Sequence, residues 1–396
     1  FDANHPVSVL IDVRGNDKYL ADEILSRQAL GGQGERWSKR VTPRFGAGIL
    51  GYGILADLQG DDLYRSFRQS QGRGDFGLGV LWDGSGNDEY DCFVQCQASA
   101  EFGGGLLLDG GGRDRFKIFQ QGQGFGGPKG SGVLVKAGME DDSYSANDTQ
   151  IDFPSLADKK RNTSLVQGAA MGFREDYSDG YSLAGGFGAL LDEGGANEFS
   201  AGFYAQGSAY WYGVGLLSVG IGQDTYHAAK YAQGAAAHFG VGILHDSGGD
   251  DKYQLDQQLG LGHGHDYGVG FLLDDGGNDQ YVASSFALGC ASDQGIGIFW
   301  DRQGNDRYSS TEQEVMGCAA ARVPLPNTRI GGRTIGLFLD TGGVNEFNFP
   351  RIKGTYSSQH WIFDPMHLPP EFPQRRKANL IGVGAVTNRP ETDDPW

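Results

Sequence analysis

One phrase, Asp-x-x-Gly-x-Asp-x-Tyr, recurs along this chain and constrains its fold more than any other feature. It is plain in Asp83-Gly-Ser-Gly-Asn-Asp-Glu-Tyr90, in Asp274-Asp-Gly-Gly-Asn-Asp-Gln-Tyr281 and in Asp301-Arg-Gln-Gly-Asn-Asp-Arg-Tyr308. Aligned on the closing aromatic, eleven copies end at Tyr19, Tyr64, Tyr90, Phe116, Tyr144, Phe199, Tyr226, Tyr253, Tyr281, Tyr308 and Phe347. Seven of the ten spacings are 26 to 28 residues, and the others are 45, 55 and 39. The 45 and the 39 read as one unit plus an insertion. The 55 reads as two units, one worn beyond recognition near residues 165–180.

Every unit carries the same parts. An apolar strand such as Gly-Val-Gly-Ile-Leu-His-Asp (240–246) runs into the glycine turn, and an aromatic-led strand such as Tyr-Asp-Cys-Phe-Val (90–94) leaves it. Gln-Gly or Gln-Ala follows, with the glutamine at 71, 97, 123, 206 and 233. Short strands at even spacing with glycine turns mean β structure, and no helical pattern lies between them to make βαβ units. The expectation is an all-β, single-stranded parallel β-helix, a right-handed β-solenoid of 11–12 coils. One coil cannot bury its apolar face alone, but stacked coils build a continuous core. At about 4.8 Å per coil the rod is roughly 55 Å long. The pairs Ile54-Leu55, Val80-Leu81, Leu106-Leu107, Ile243-Leu244, Phe271-Leu272 and Ile298-Phe299 should each point one residue inward and one outward.

At this level the chain resembles right-handed parallel β-helix proteins, the pectate-lyase-like solenoids, over about residues 1–350. The resemblance rests on periodicity and carries no catalytic motif. The turn is similar to the calcium-binding RTX-type nonapeptide, Gly-Gly-x-Gly-x-Asp-x-apolar, with Asp in the first place and a period of 27 or so instead of nine. That likeness implies Ca2+ along the rod.

The solenoid domain is expected over 1–349, with insertions at about 20–48 and 145–185. Ala21-Asp-Glu-Ile-Leu-Ser-Arg-Gln28 reads as a short helix in the first insertion. Seven of the thirteen prolines lie from Pro350 onward, so 350–396 reads as a C-terminal cap or arm over the open end.

The first Asp of the phrase is present at 12, 57, 83, 109, 192, 246, 274, 301 and 340. The second is present at 17, 62, 88, 114, 142, 224, 251, 279 and 306, with Asn197 and Asn345 in the remaining two. Such residues accept hydrogen bonds from turn amides. They would also ligate a hard cation, which would relieve repulsion between coils of about 1–3 kcal/mol per pair. The candidate calcium ligands are Asp83, Asp88, Asp109, Asp114, Asp246, Asp251, Asp274, Asp279, Asp301 and Asp306.

A second constellation is histidine-rich. His238 and His265 each lie twelve residues after a motif aromatic, and His263 shares a strand face with His265. Counting back from the next aromatic puts Asp75, Glu101, His238, Asp266 and Asp293 in one column. His238, His265, Asp266 and Asp293 are the candidate acid–base residues. The glutamines read as a stacked amide ladder. Cys290 and Cys318, 28 residues apart, read as neighbours on adjacent coils, either bonded or free; Cys92 and Cys96 make up the four.

A net charge of −18 disfavours nucleic acid, whose phosphates would be repelled, and no apolar run is long enough for a transmembrane helix. Acidic character and sparse cysteines fit a periplasmic, cell-surface or secreted location. Phe1 in place of Met reads as a processed product or a fragment. Turn carboxylates recur on nearly every coil, whereas catalysis makes one or two coils exceptional. The first reading is therefore a non-enzymatic scaffold or binding module for a polysaccharide or a partner protein, with Trp82, Trp211 and Trp300 as contact residues. The alternative is a polysaccharide lyase or glycoside hydrolase with a groove around His238 and His265. A third is a structural subunit of a larger complex, since outward apolar ladders promote side-by-side packing.

Overall fold

Each repeat makes one circuit of a rod, and the alternation of its strands decides what faces the axis. The computed structural model describes residues 6–21, 43–146, 151, 154–155, 158–175, 181–320, 332–350 and 352–357, and the strand backbone at 380–386. Among the described residues there is no helix. The first sheet holds twelve parallel strands, from Val7–Asp12, Tyr52–Asp57 and Leu78–Asp83 through to Thr334–Asp340 and Leu380–Val386. The second also holds twelve, from Lys18–Leu20 and Leu63–Arg68 to Val344–Asn348, with Lys353–Ser357 folded back antiparallel on the last. A third edge is made of two-residue strands such as Gly74–Asp75, Ala236–Ala237 and Gly264–His265. This is the parallel β-solenoid that the repeat implied.

Within the first sheet the inward residues of each strand read Gly, Leu, Asp. Leu81, Leu107, Leu134, Leu190, Leu217, Leu244 and Leu272 are fully buried in one stack, which Phe299 and Phe338 continue. The inward glycine is forced by thinness. A Cβ at Gly79, Gly242 or Gly270 would stand 2.1–2.2 Å from a backbone carbonyl oxygen of the third edge. Opposite, the eleven motif aromatics stack ring on ring from Tyr19 to Phe347, centroids 4.6–5.0 Å apart. Each fills one layer of the core, so the period of the sequence is the perimeter of the coil.

The 55-residue spacing is not two units. Tyr144 pairs directly with Phe199, and Ser131–Lys136 pairs with Phe187–Gly194, so one coil carries all the extra chain. The supposed worn unit instead supplies that coil's own third side, Thr163–Val166, Gln167 and Ala170–Met171, between looped segments. Of the stretch expected to be helical, the part from Asp22 on lies outside the described residues, as does the proline-rich 358–379. Cys290 is bonded to Cys318 on the adjacent coil, and Cys92 to Cys96 within one coil.

The two broad faces of the rod differ in chemistry. Outward positions of the second sheet hold Arg65, Glu89, Asp91, Arg115, Lys117, Thr225, Lys252 and Gln254. Those of the first sheet hold Leu78, Val80 and Trp82, then Leu106 and Leu108, Val133 and Val135, Val241 and Ile243, Val269, Phe271 and Leu273, and Ile296, Ile298 and Trp300. From Tyr52–Asp57 to Thr334–Asp340, no strand turns an Asp, Glu, Lys or Arg outward at its first, third or fifth position in that register.

Candidate functional site

The turn carboxylates are inside the rod, and they form two ladders. The first-position aspartates end the strands of the first sheet. One oxygen accepts the amide two residues on, as from Ser85 to Asp83 (3.2 Å) and from Gly276 to Asp274 (2.9 Å). The other accepts the hydroxyl of the motif tyrosine one coil earlier: Tyr64 to Asp83 (2.6 Å), Tyr90 to Asp109 (2.7 Å), Tyr253 to Asp274 (2.7 Å), Tyr308 to Asp340 (2.8 Å). The hydroxyl is present wherever the acceptor is. Phe116 faces Lys136 and Phe199 faces Val219. A buried hydroxyl without an acceptor would lose about 1–3 kcal/mol, which explains why these two rings are bare.

The second-position aspartates form the other ladder. Each backbone amide donates to Oδ1 of its counterpart one coil on: Asp62 to Asp88, Asp88 to Asp114, Asp224 to Asp251 and Asp251 to Asp279, at 2.6–2.7 Å. Asn197 and Asn345 accept in the same way with an amide oxygen. Burial, followed by the neighbouring carboxylates, raises the pKa of Asp88 to about 9, of Asp251 to about 10 and of Asp279 to about 9.

The two ladders meet in clusters, each holding oxygens from three carboxylates within 4.8 Å of one another. Among them are Asp12, Asp17 and Asp57; Asp62, Asp83 and Asp88; Asp88, Asp109 and Asp114; Asp224, Asp246 and Asp251; and Asp251, Asp274 and Asp279. Asp301 takes the hydroxyl of Tyr281 (2.9 Å), and Asp306 takes the amide of Asp279 (2.9 Å). One coil differs. Lys136 replaces the first aspartate, is fully buried, and sets Nζ 3.2 Å from Asp114, 3.5 Å from Asp142 and 3.7 Å from Asp109. Burial opposes its charge, but Asp109, Asp142 and Asp114 outweigh burial and hold its pKa above the ordinary lysine value. The recurrence of carboxylates hid this residue from a motif search.

The glutamines form no amide ladder. Each Nε2 donates to backbone carbonyls, Gln97 to Tyr90 (2.9 Å) and Lys117 (3.0 Å), Gln233 to Tyr226 (3.1 Å) and Gln254 (3.2 Å). Gln71, Gln97, Gln123, Gln206 and Gln233 all have φ between 49° and 57°. The side-chain bonds to two coils offset the cost of that left-handed corner, about 1–3 kcal/mol. Gln167, missed in the motif count because of the insertion, does the same with Tyr144 and Ser200.

The histidine cluster lies on the third edge, and its register differs from the sequence count. Asp75 pairs with Glu101, but His265 pairs with Ala237 and Ser292, and His238 stands one residue further along, level with Asp266. The single column therefore splits in two. The reason is the corner that follows: it holds three residues, His238-Phe239-Gly240, before Val241 but only two, Phe76-Gly77, before Leu78, while an extra residue before Leu261 takes His265 out of level with His238. Asp75 and Glu101 belong elsewhere, around the buried Arg73, at 2.6 and 3.6 Å.

His238, Asp266 and His265 still meet. His238 Nδ1 is 2.6 Å from Asp266 Oδ2, and the rings of His238 and His265 are 5.4 Å apart. His265 Nδ1 reaches Ser292 Oγ (2.8 Å), which also meets His263 Nε2 (3.1 Å). Burial drives the pKa of His263 well below the usual histidine value, so it is neutral. Asp293 is one coil beyond Asp266, in the same column. Arg174, from the insertion, touches the His238 ring nitrogens at 2.8 Å and lies 5.0 Å over Trp211. No periodic signal marked Arg174. The insertion is held down by Arg161 to Asp256 (2.9 Å) and Gln257 to Asp158 (2.8 Å). These acid–base groups are thus bonded to one another beneath a covering segment.

Of the three tryptophans, Trp82 is 46% exposed on the outer face of the first sheet. Trp300 shares that face, with Arg302 5.5 Å from its ring. No protein-family model, curated protein or solved structure matches this chain, so the likeness to parallel β-helix proteins is one of fold alone.

Proposed function

We propose that the chain is a non-enzymatic scaffold that works through the apolar outer face of its first sheet. The carrying observation is the contrast between that face and the charged second sheet. Strands on one wet surface do not need Leu, Val, Ile, Phe and Trp at most of their outward positions, with no Asp, Glu, Lys or Arg among them over ten coils, and a large apolar patch of this kind marks an interaction surface. Twelve strands at about 4.8 Å, with some 16 Å of strand in contact, give roughly 800 Å² per partner, the size of a standard protein interface. The occupant we assign is a second copy of this chain, packed sheet on sheet at about 10 Å. The face carries none of the acidic side chains behind the net charge of −18, so charge does not oppose contact there. Two bonded cysteine pairs fit an oxidising, extracytoplasmic compartment.

Polysaccharide stacking is less well supported. The aromatic ladder Tyr212, Phe239 and Tyr267 at the third edge stacks ring on ring at 4.8 and 5.1 Å, so its inner faces are spent on one another. The enzymatic alternative rests on the His238–Asp266 pair; turnover of any polysaccharide that is lost in His238→Ala would favour it.

An environment-sensitive dye tests the docking face. Attached at Ile243→Cys, it should shift to the blue as protein concentration rises, while the same dye at Lys117→Cys should not. A response at Lys117 alone, or at neither position, contradicts the assignment.

A further inference from the structure

The ladders account for almost every buried polar atom at the turns except one kind. Oδ2 of Asp88, Asp224, Asp251, Asp279 and Asp306 has no hydrogen-bond partner, although these residues are 0–2% exposed. Asp88, Asp224, Asp251 and Asp279 each belong to one of the three-carboxylate clusters. What such a cluster takes is shown within the same chain. In the one coil where the first-position residue is basic, Lys136, its ammonium stands between the Oδ2 atoms of Asp114 and Asp142. In that coil the Oδ2 atoms, which make no hydrogen bond there either, have a cation as ion-pair partner.

We propose that the carboxylate clusters on either side of this coil are buried sites for a hard divalent cation such as Ca2+, for which Lys136 is the built-in substitute. Three observations shape the claim. The donors are all carboxylate oxygens, which suits a hard cation. The ligand atoms of each cluster all lie within 4.8 Å of one another, so one ion can touch all three carboxylates. Four of the clusters make two runs that flank this coil, Asp62 to Asp114 and Asp224 to Asp279, each sharing one central aspartate, Asp88 or Asp251. Between the runs, Lys136, Asn197 and Val219 interrupt the two carboxylate ladders. The ions would lie on the rod's interior edge, so they would bear on stability and coil spacing, independently of the docking face.

The test is calcium counting by elemental analysis, with thermal unfolding in millimolar CaCl2 and in chelator. Protein refolded in CaCl2 and passed into metal-free buffer should retain at least one ion per run, and its Tm should stand several degrees above that of the chelator-treated protein. Asp88→Asn and Asp251→Asn keep the Oδ1 acceptor, as Asn197 and Asn345 do naturally, so they should fold and yet lose the ions of their own run. Lys136→Asp, which restores the repeat, should gain an ion. Absence of retained calcium with an unmoved Tm overturns the proposal. So does calcium that persists undiminished in the Asp88→Asn, Asp251→Asn double variant, because it would then be bound elsewhere.

Discussion

The matching of hydroxyl to carboxylate across coils can be tested by building a new match. Phe199 and Val219 are 0% and 1% exposed and occupy the places that Tyr226 and Asp246 hold one coil on. Phe199→Tyr alone puts a hydroxyl against Val219 with no acceptor, a loss of about 1–3 kcal/mol. Val219→Asp alone buries a carboxylate between Asp192 and Asp246, its neighbours in register. At a coil spacing of about 4.8 Å and an effective dielectric of 20, each neighbour adds roughly 3 kcal/mol of repulsion while it is charged. Together the two changes recreate the Tyr–Asp pair, and a hydrogen bond to a charged group is worth about 1.5–3 kcal/mol. The double variant should therefore be more stable than the sum of the singles by at least ~2 kcal/mol. Urea unfolding of the four proteins, followed by tyrosine and tryptophan fluorescence, measures this coupling. A value within ~0.5 kcal/mol of zero would refute the claim that the pairing is energetic and not a by-product of the repeat.

Other perturbations probe the same interior. Lys136→Met leaves Asp109, Asp114 and Asp142 facing one another without a cation and should cost about 3–5 kcal/mol in urea unfolding; a loss below ~1 kcal/mol would mean the ion pair is dispensable. Asp88, Asp251 and Asp279, raised to about 9, 10 and 9, bind protons more tightly folded than unfolded. Their contribution is full below the ordinary aspartate pKa and is lost as pH rises towards those values. Chelator-treated protein should thus melt higher at pH 5 than at pH 9, and the reverse order would contradict the raised pKa values. Gln97→Leu strips the donor from the carbonyls of Tyr90 and Lys117 at a left-handed corner and should cost about 1–3 kcal/mol, against little change for an exposed glutamine such as Gln280.

Much of the architecture was legible because its signal repeats. The closing aromatics, the Gly-Leu-Asp inner face and the outward apolar partner of each Leu could be read from spacing and two-residue alternation. What was not legible depended on which coil lies beside which. The Tyr–Asp match is written in the letters, yet it joins residues about twenty apart on different coils and emerges only once the stacking register is known. The 55-residue coil misled because an insertion and a degenerate unit look alike in one dimension. The histidine column misled because one extra residue at the corner 238–240, and another before Leu261, shift the register, and a shift of one moves a side chain to a new place on the edge. Arg174 and Lys136 are single departures from a pattern, and periodicity finds what recurs.

The claim that the first sheet is the working surface is tested most directly by sedimentation over a wide range of protein concentration. The account predicts a dimer that dissociates on dilution, and a monomer at every concentration when Ile243→Lys and Phe271→Lys are introduced together on adjacent outward positions. A wild-type chain that stays monomeric throughout, or a dimer that the two lysines leave intact, would contradict it.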